Sequence, residues 1–154
     1  MNENQVLSKL KLIGDRGNIK DVDFLFNCLQ SENAIIVKAS FDILVNIKVK
    51  SANKIIVEKI KLRENKQILN MLVSICWQSG LDFTDDLLLF FNIVVNEELS
   101  VAIEAMSVIE NILANNTIDE KVILKGLGIF NNYIDISENN VKTLMIKDFI
   151  DTFK

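Results

Sequence analysis

The chain has 154 residues, a formal net charge of -4, and neither histidine nor proline. Without imidazole there is no Ser-His-Asp or Cys-His nucleophile pair, no histidine-ligated zinc site and no histidine general base, and without proline a loop-rich or all-β fold is disfavoured. With 49% hydrophobic and 25% charged residues, the composition is that of a globular domain rather than a disordered tail or a coiled-coil rod, so one domain over residues 1–154 is expected.

Apolar residues recur at three and four between punctuating asparagine, serine and glycine, a pattern that predicts short amphipathic helices. Nine are expected, at 4–13, 20–30, 34–48, 52–62, 66–78, 84–95, 99–114, 118–133 and 138–152. Links of two to six residues make successive helices antiparallel neighbours. Gly14 and Gly17 read as caps after the first helix, and Gly80 as a left-handed cap after the fifth, with Leu81 placed to fold back. Asp82, Thr84, Asp85 and Asp86 crowd the start of the sixth helix, where negative charge meets the positive end of the macrodipole. The sixth helix itself, Leu87 to Val95, is apolar around nearly its whole circumference and is expected to be covered on both sides. Thr117 with Glu120 reads as a capping box for the eighth. In Lys125-Gly126-Leu127-Gly128 the glycines sit inside a helical pattern, which implies close helix packing or a kink rather than a dinucleotide loop. Lys142, Lys147, Asp148, Asp151 and Lys154 make the last helix polar, as a terminal one should be.

Overlaying the helices exposes a repeat. The third reads Ile36, Ser40, Ile43, Leu44, Ile47 and the seventh Val101, Ala105, Val108, Ile109, Ile112. The fifth keeps Ile68, Met71, Leu72, Ile75, with Glu64 in its first place, and the first keeps Leu10 and Ile13. The closing isoleucines fall at 13, 47, 75 and 112, the spacing of helical hairpins that bury their apolar stripes by stacking. Leu10-Lys11-Leu12-Ile13-Gly14-Asp15, then Ile19 to Leu25 and the polar turn Leu29-Gln30-Ser31-Glu32-Asn33, resembles the HEAT-repeat family. Cys76 to Phe83 and Val108 to Ile112 also look like stretches of small bacterial HEAT-like proteins, a likeness that brings no function with it. Val37, Asn65 and Ala102 stand where members of the family often carry a basic residue. The resemblance implies an all-α, right-handed, armadillo-like α-solenoid of about four hairpins.

Such an array presents the residues between the buried positions of its inner helices on a concave face. Here these are Asp42 and Asn46, then Gln67, Asn70 and Ser74, then Glu104, Ser107 and Asn111. A ladder of amides and carboxylates suits a peptide backbone or a docked helix, and it also suits a face that is polar because it is wet. Trp77 fits the core as a lone aromatic at helical spacing. Its place at the end of an inner helix also suits a partner anchor, and it is counted with the protein-binding candidates.

Charge is segregated. Gln67 to Glu120 holds nine acidic residues and no lysine or arginine, whereas Lys48 to Lys66 holds seven basic residues against two acidic ones. An acidic surface attracts a basic partner, and a predicted pI near 4.9 disfavours nucleic acid. The longest apolar run is broken by Asn92 and falls short of the ~20 residues of a membrane span. Cys28 and Cys76 read as small hydrophobes, and Met1 to Gln5 does not resemble a signal peptide, so a reducing cytoplasm is expected. No catalytic, cofactor-binding or metal-ligating set stands out. The expected function is a non-enzymatic interaction module, an adaptor, assembly factor or complex subunit that binds a protein or peptide. The alternatives are a HEAT-like enzyme on a macromolecular substrate, such as a DNA glycosylase, and a self-associating structural subunit.

Overall fold

Each predicted helix forms close to where the periodicity places it. The computed structural model describes residues 1–16, 18–62 and 66–153, so the readings made on Gly17, Glu64, Asn65 and Lys154 lie outside the described residues. Among the described residues there are nine α-helices and no strand. They are α1 (Glu3–Arg16), α2 (Val22–Leu29), α3 (Ala34–Val45), α4 (Ala52–Lys61), α5 (Leu69–Gln78), α6 (Leu87–Asn96), α7 (Leu99–Asn115), α8 (Glu120–Ile136) and α9 (Val141–Asp151).

Asparagine does much of the capping. Asn33 Oδ1 accepts from the Ile35 amide at 2.9 Å to start α3, and Asn140 Oδ1 accepts from the Thr143 amide at 3.0 Å to start α9. Asn18 and Asp21 form a reciprocal capping box on the 3-10 turn that leads into α2. Three local readings are corrected. Helix α8 is capped by Asp119, whose carboxylate accepts from the Lys121 amide at 2.8 Å, so a charged acceptor two residues nearer the helix replaces the Thr117 hydroxyl. Gly14 lies inside α1, which continues to Arg16. The acidic run before α6 forms a separate 3-10 turn, Thr84–Asp86, and Asp86 makes no side-chain cap bond. Gly80, at φ +69°, takes the left-handed conformation expected of it.

The chain divides into two compact units, Met1–Asp82 and Phe83–Lys154. In the first, α1, α3 and α5 pack in succession, while α2 lies on α3 and α4 on α5. Its core is mainly aliphatic, with Leu10, Leu25, Leu44, Ile56, Leu72 and Ile75 at most 1% exposed and Phe26 as its buried ring. Ser40, at an apolar place in the repeat, is fully buried, and its hydroxyl donates to the Leu25 carbonyl at 2.7 Å, so no polar group is stranded there. In the second unit, α6 packs against both α7 and α8, and α9 against α8 and α7. This double contact accounts for the apolar sequence of α6, where Leu87, Phe90, Phe91, Ile93 and Val94 are buried. On its wet edge, Asn92 and Asn96 donate to carbonyls one turn back at 2.8 Å.

In the second unit phenyl rings join α6, α8 and α9, beside the aliphatic residues that α7 buries. Phe91 and Phe130 lie 4.7 Å apart, and Phe149 stands edge-on to both. Gly126 allows this: a Cβ there would come within 2.5 Å of the Phe91 ring, so α8 meets α6 at a distance that tolerates only hydrogen. The closing isoleucines of the repeat, Ile13, Ile47, Ile75 and Ile112, are all buried.

Candidate functional site

Helix α3 has two apolar stripes. One, containing Ile36 and Leu44, enters the core. Ala34, Val37 and Phe41 lie three and four residues apart on another face, and with Met71 of α5 they floor an open groove of about 560 Å³. Ser31, Glu32, Lys38 and Asp42 complete its walls. The turn between α2 and α3 holds its end of the groove in place, because Ser31 Oγ accepts from the Asn33 amide at 3.1 Å. Lys38 Nζ donates to Asp42 Oδ2 at 3.0 Å one turn along α3, which balances those two charges and leaves the Glu32 carboxylate to give the groove its sign. Apolar floor and polar rim together suit an aliphatic or aromatic side chain flanked by hydrogen-bonding groups.

Six of the nine expected binding residues lie in this unit, on or beside the contacting helices α3 and α5. Asp42 lines the groove. Asn46 is exposed, and its amide donates to the Asp42 carbonyl at 2.8 Å, closing the end of α3. Gln67 is exposed in the 3-10 turn before α5, and Asn70 is half-buried. Ser74 is buried, with its hydroxyl accepting from Gln78 Nε2 at 2.6 Å. Trp77 is 38% exposed at the end of α5, so the core reading of this residue is corrected. Leu69, Val73 and the adjacent Cys76 fill the buried side of that helix, which leaves the indole at its margin.

Glu104, Ser107 and Asn111 belong to the second unit and share one face of α7. Glu104 is half-buried. Ser107 Oγ donates to the Ile103 carbonyl at 3.2 Å, and the Asn111 carbonyl accepts from Asn115 Nδ2 at 2.8 Å. Sequence reasoning missed Val37, Phe41 and Met71. The signal was present in the three-and-four spacing of Ala34, Val37 and Phe41, set off from the Ile36–Leu44 stripe. It missed Lys142 as well, whose Nζ donates to the Val95 carbonyl at 3.1 Å and the Glu97 carbonyl at 2.8 Å, closing the C-terminal end of α6.

Both cysteines are buried and neither forms a disulfide. Burial pushes the Cys28 thiol up, with Lys9 acting in the opposite sense, so the nucleophilic thiolate is disfavoured. Among the described residues no group of three or more acidic or cysteine side chains gathers as a metal site, and no helix is long and apolar enough to cross a membrane. Compared with protein-family models, with curated proteins and with solved structures, the chain matches none.

Proposed function

We propose that this chain is a HEAT-like interaction module, a right-handed solenoid of helical hairpins that binds a protein or peptide, acts in the cytoplasm, and serves as an adaptor, assembly factor or complex subunit. One observation carries the reading: the open groove on α3 and α5, with Val37, Phe41 and Met71 on its floor and Glu32, Lys38 and Asp42 at its walls. A floor of this kind takes one or two apolar anchors of an amphipathic segment, while the walls select for charge and hydrogen bonding. Within the first unit, the packing of α1 on α3 and α3 on α5 supports the solenoid, since stacked hairpins bring every second helix together. The order of α6, α7, α8 and α9 in the second unit has the same character, with α6 on α8 and α7 on α9.

The test is a photocrosslinking residue placed at Val37 in the chain expressed in its native cell. A discrete adduct with another protein is expected, and Phe41→Asp in the same chain should remove it while the helical circular-dichroism spectrum stays intact. An adduct that survives Phe41→Asp, or none at all, overturns the groove as the binding site.

A further inference from the structure

The floor of the groove belongs to two helices, α3 and α5, and among the described residues there is no strand whose edge a peptide could join. From Val37 onward the amides of α3 are spent on carbonyls one turn back, beginning with Val37 to Asn33 at 3.1 Å, and the Asn46 amide closes on the carbonyls of Asp42 and Ile43. An extended peptide laid on Val37, Phe41 and Met71 would set the main-chain groups of its inner side against apolar side chains, with nothing to bond. A helix satisfies those groups internally and offers only side chains to such a floor.

The two ends of the groove differ, and the difference sets a direction. Ala34 to Asp42 spans about 12 Å along α3 at 1.5 Å per residue, room for two turns of a second helix. At the far end the charges are balanced, because Lys38 is held by Asp42 at 3.0 Å. At the near end stand Ser31 and Glu32. Ser31 Oγ accepts from the Asn33 amide and keeps its own proton to donate. Glu32 is exposed and belongs to no ion pair among the described residues. The C-terminal end of a helix complements both, with carbonyls that lack intrahelical donors for the Ser31 hydroxyl and a lysine or arginine in its last turn for Glu32. That placement runs the second helix antiparallel to α3 and sets opposite ends of the two dipoles side by side. The first unit as a whole carries +3, from twelve basic and nine acidic residues, so a cation is favoured at that one place and a partner basic throughout is not.

Resting on the reading of this groove as the binding site, we propose that its occupant is an amphipathic α-helix of a partner protein, laid antiparallel to α3. Its two apolar anchors, one turn apart, lie over Val37, Phe41 and Met71, and a single lysine or arginine in its last turn meets Glu32. Met71, unbranched and adaptable, follows the shape of whichever anchor lies on it.

Two displayed peptide libraries of about sixteen residues, long enough for a helix to form, test this on the full chain. Both are randomised at the anchor and terminal positions. One is alanine-rich, and in the other a central proline forbids the helix. Binders that lose about tenfold or more with Phe41→Asp are the groove-dependent ones, and they are expected from the alanine-rich library with a basic residue in the last turn. Their affinity should fall about fivefold with Glu32→Lys and return to within about twofold when the peptide's basic residue is exchanged for glutamate. The helical circular-dichroism spectra of both protein variants should be unchanged. Groove-dependent binders from the proline library, binders whose basic residue lies in the first turn or that ignore Glu32→Lys, or no groove-dependent binder from either library overturn the helical occupant. The crosslinked adduct at Val37 separates this from the reading beneath it. An adduct that is lost with Phe41→Asp, found beside any of those outcomes, leaves the groove a binding site for a chain of another shape, and its absence overturns the groove itself.

Discussion

The two units are built from the same kind of helix and differ in what fills and what surrounds them. Residues 1–82 carry twelve basic and nine acidic residues, a balance of +3, whereas residues 83–154 carry five basic and twelve acidic, a balance of -7. The first has a mainly aliphatic core, and the second packs Phe91, Phe130 and Phe149 together around the notch left by Gly126. An aliphatic core accommodates several helices whose contacts are spread out, and α3 retains a surface stripe that forms a groove. A ring cluster joins α6, α8 and α9 in one place. The net charge of -4 averages this contrast away.

The contrast breaks most readily at its centre. Phe130→Ala removes a fully buried ring in contact with two others and should cost about 3–5 kcal/mol by urea denaturation, against about 2–4 kcal/mol for Leu72→Ala in the first unit. A Leu72 variant that loses more than the Phe130 variant would reverse the comparison. A smaller effect tests how each unit uses its lysines. Lys142 is half-buried and donates to two carbonyls at the end of α6, so Lys142→Met should cost about 1.5–3 kcal/mol and speed hydrogen exchange in the last turn of α6. Lys38, 78% exposed in its pair with Asp42, is the weak counterpart. Lys38→Ala should change stability by no more than a few tenths of a kcal/mol, an effect that salt would erase. Equal losses for the Lys142 and Lys38 variants would show that burial does not set the value of these contacts.

Much of this was legible in the sequence, for a reason that individual residues make plain. The isoleucines at 13, 47, 75 and 112 are buried because a 3.6-residue repeat places them on the same side as their apolar neighbours, whatever that side packs against. Glycine inside a helical pattern implied close packing or a kink at Gly126, where the Phe91 ring makes it close packing, and the cap position implied the left-handed turn found at Gly80. The errors were local competitions. Asp119 outcompeted Thr117 for the amides of α8 because it lies nearer and is charged, and α1 ran past Gly14 because nothing there forced a left-handed turn. For the expected binding residues, periodicity found the exposed Asp42, Asn46 and Gln67 but wrongly turned Ser74 outward: it is buried, and its hydroxyl, like the Asn46 amide, is spent on a neighbour one turn away.

The order of apolar and polar residues along the chain determined that there are helices, roughly where each begins and ends, and which side of most of them turns from water, since these depend on neighbours three or four residues away. Tertiary structure alone decided that Met71 completes a groove begun by Val37 and Phe41, that Lys142 reaches back to the carbonyls of Val95 and Glu97, that Gly126 faces the ring of Phe91, and that the hairpins gather into two units. Each of those outcomes joins residues about 30 or more apart in sequence, and a repeat that specifies only a direction from the helix axis holds no information about which distant side chain will be found there.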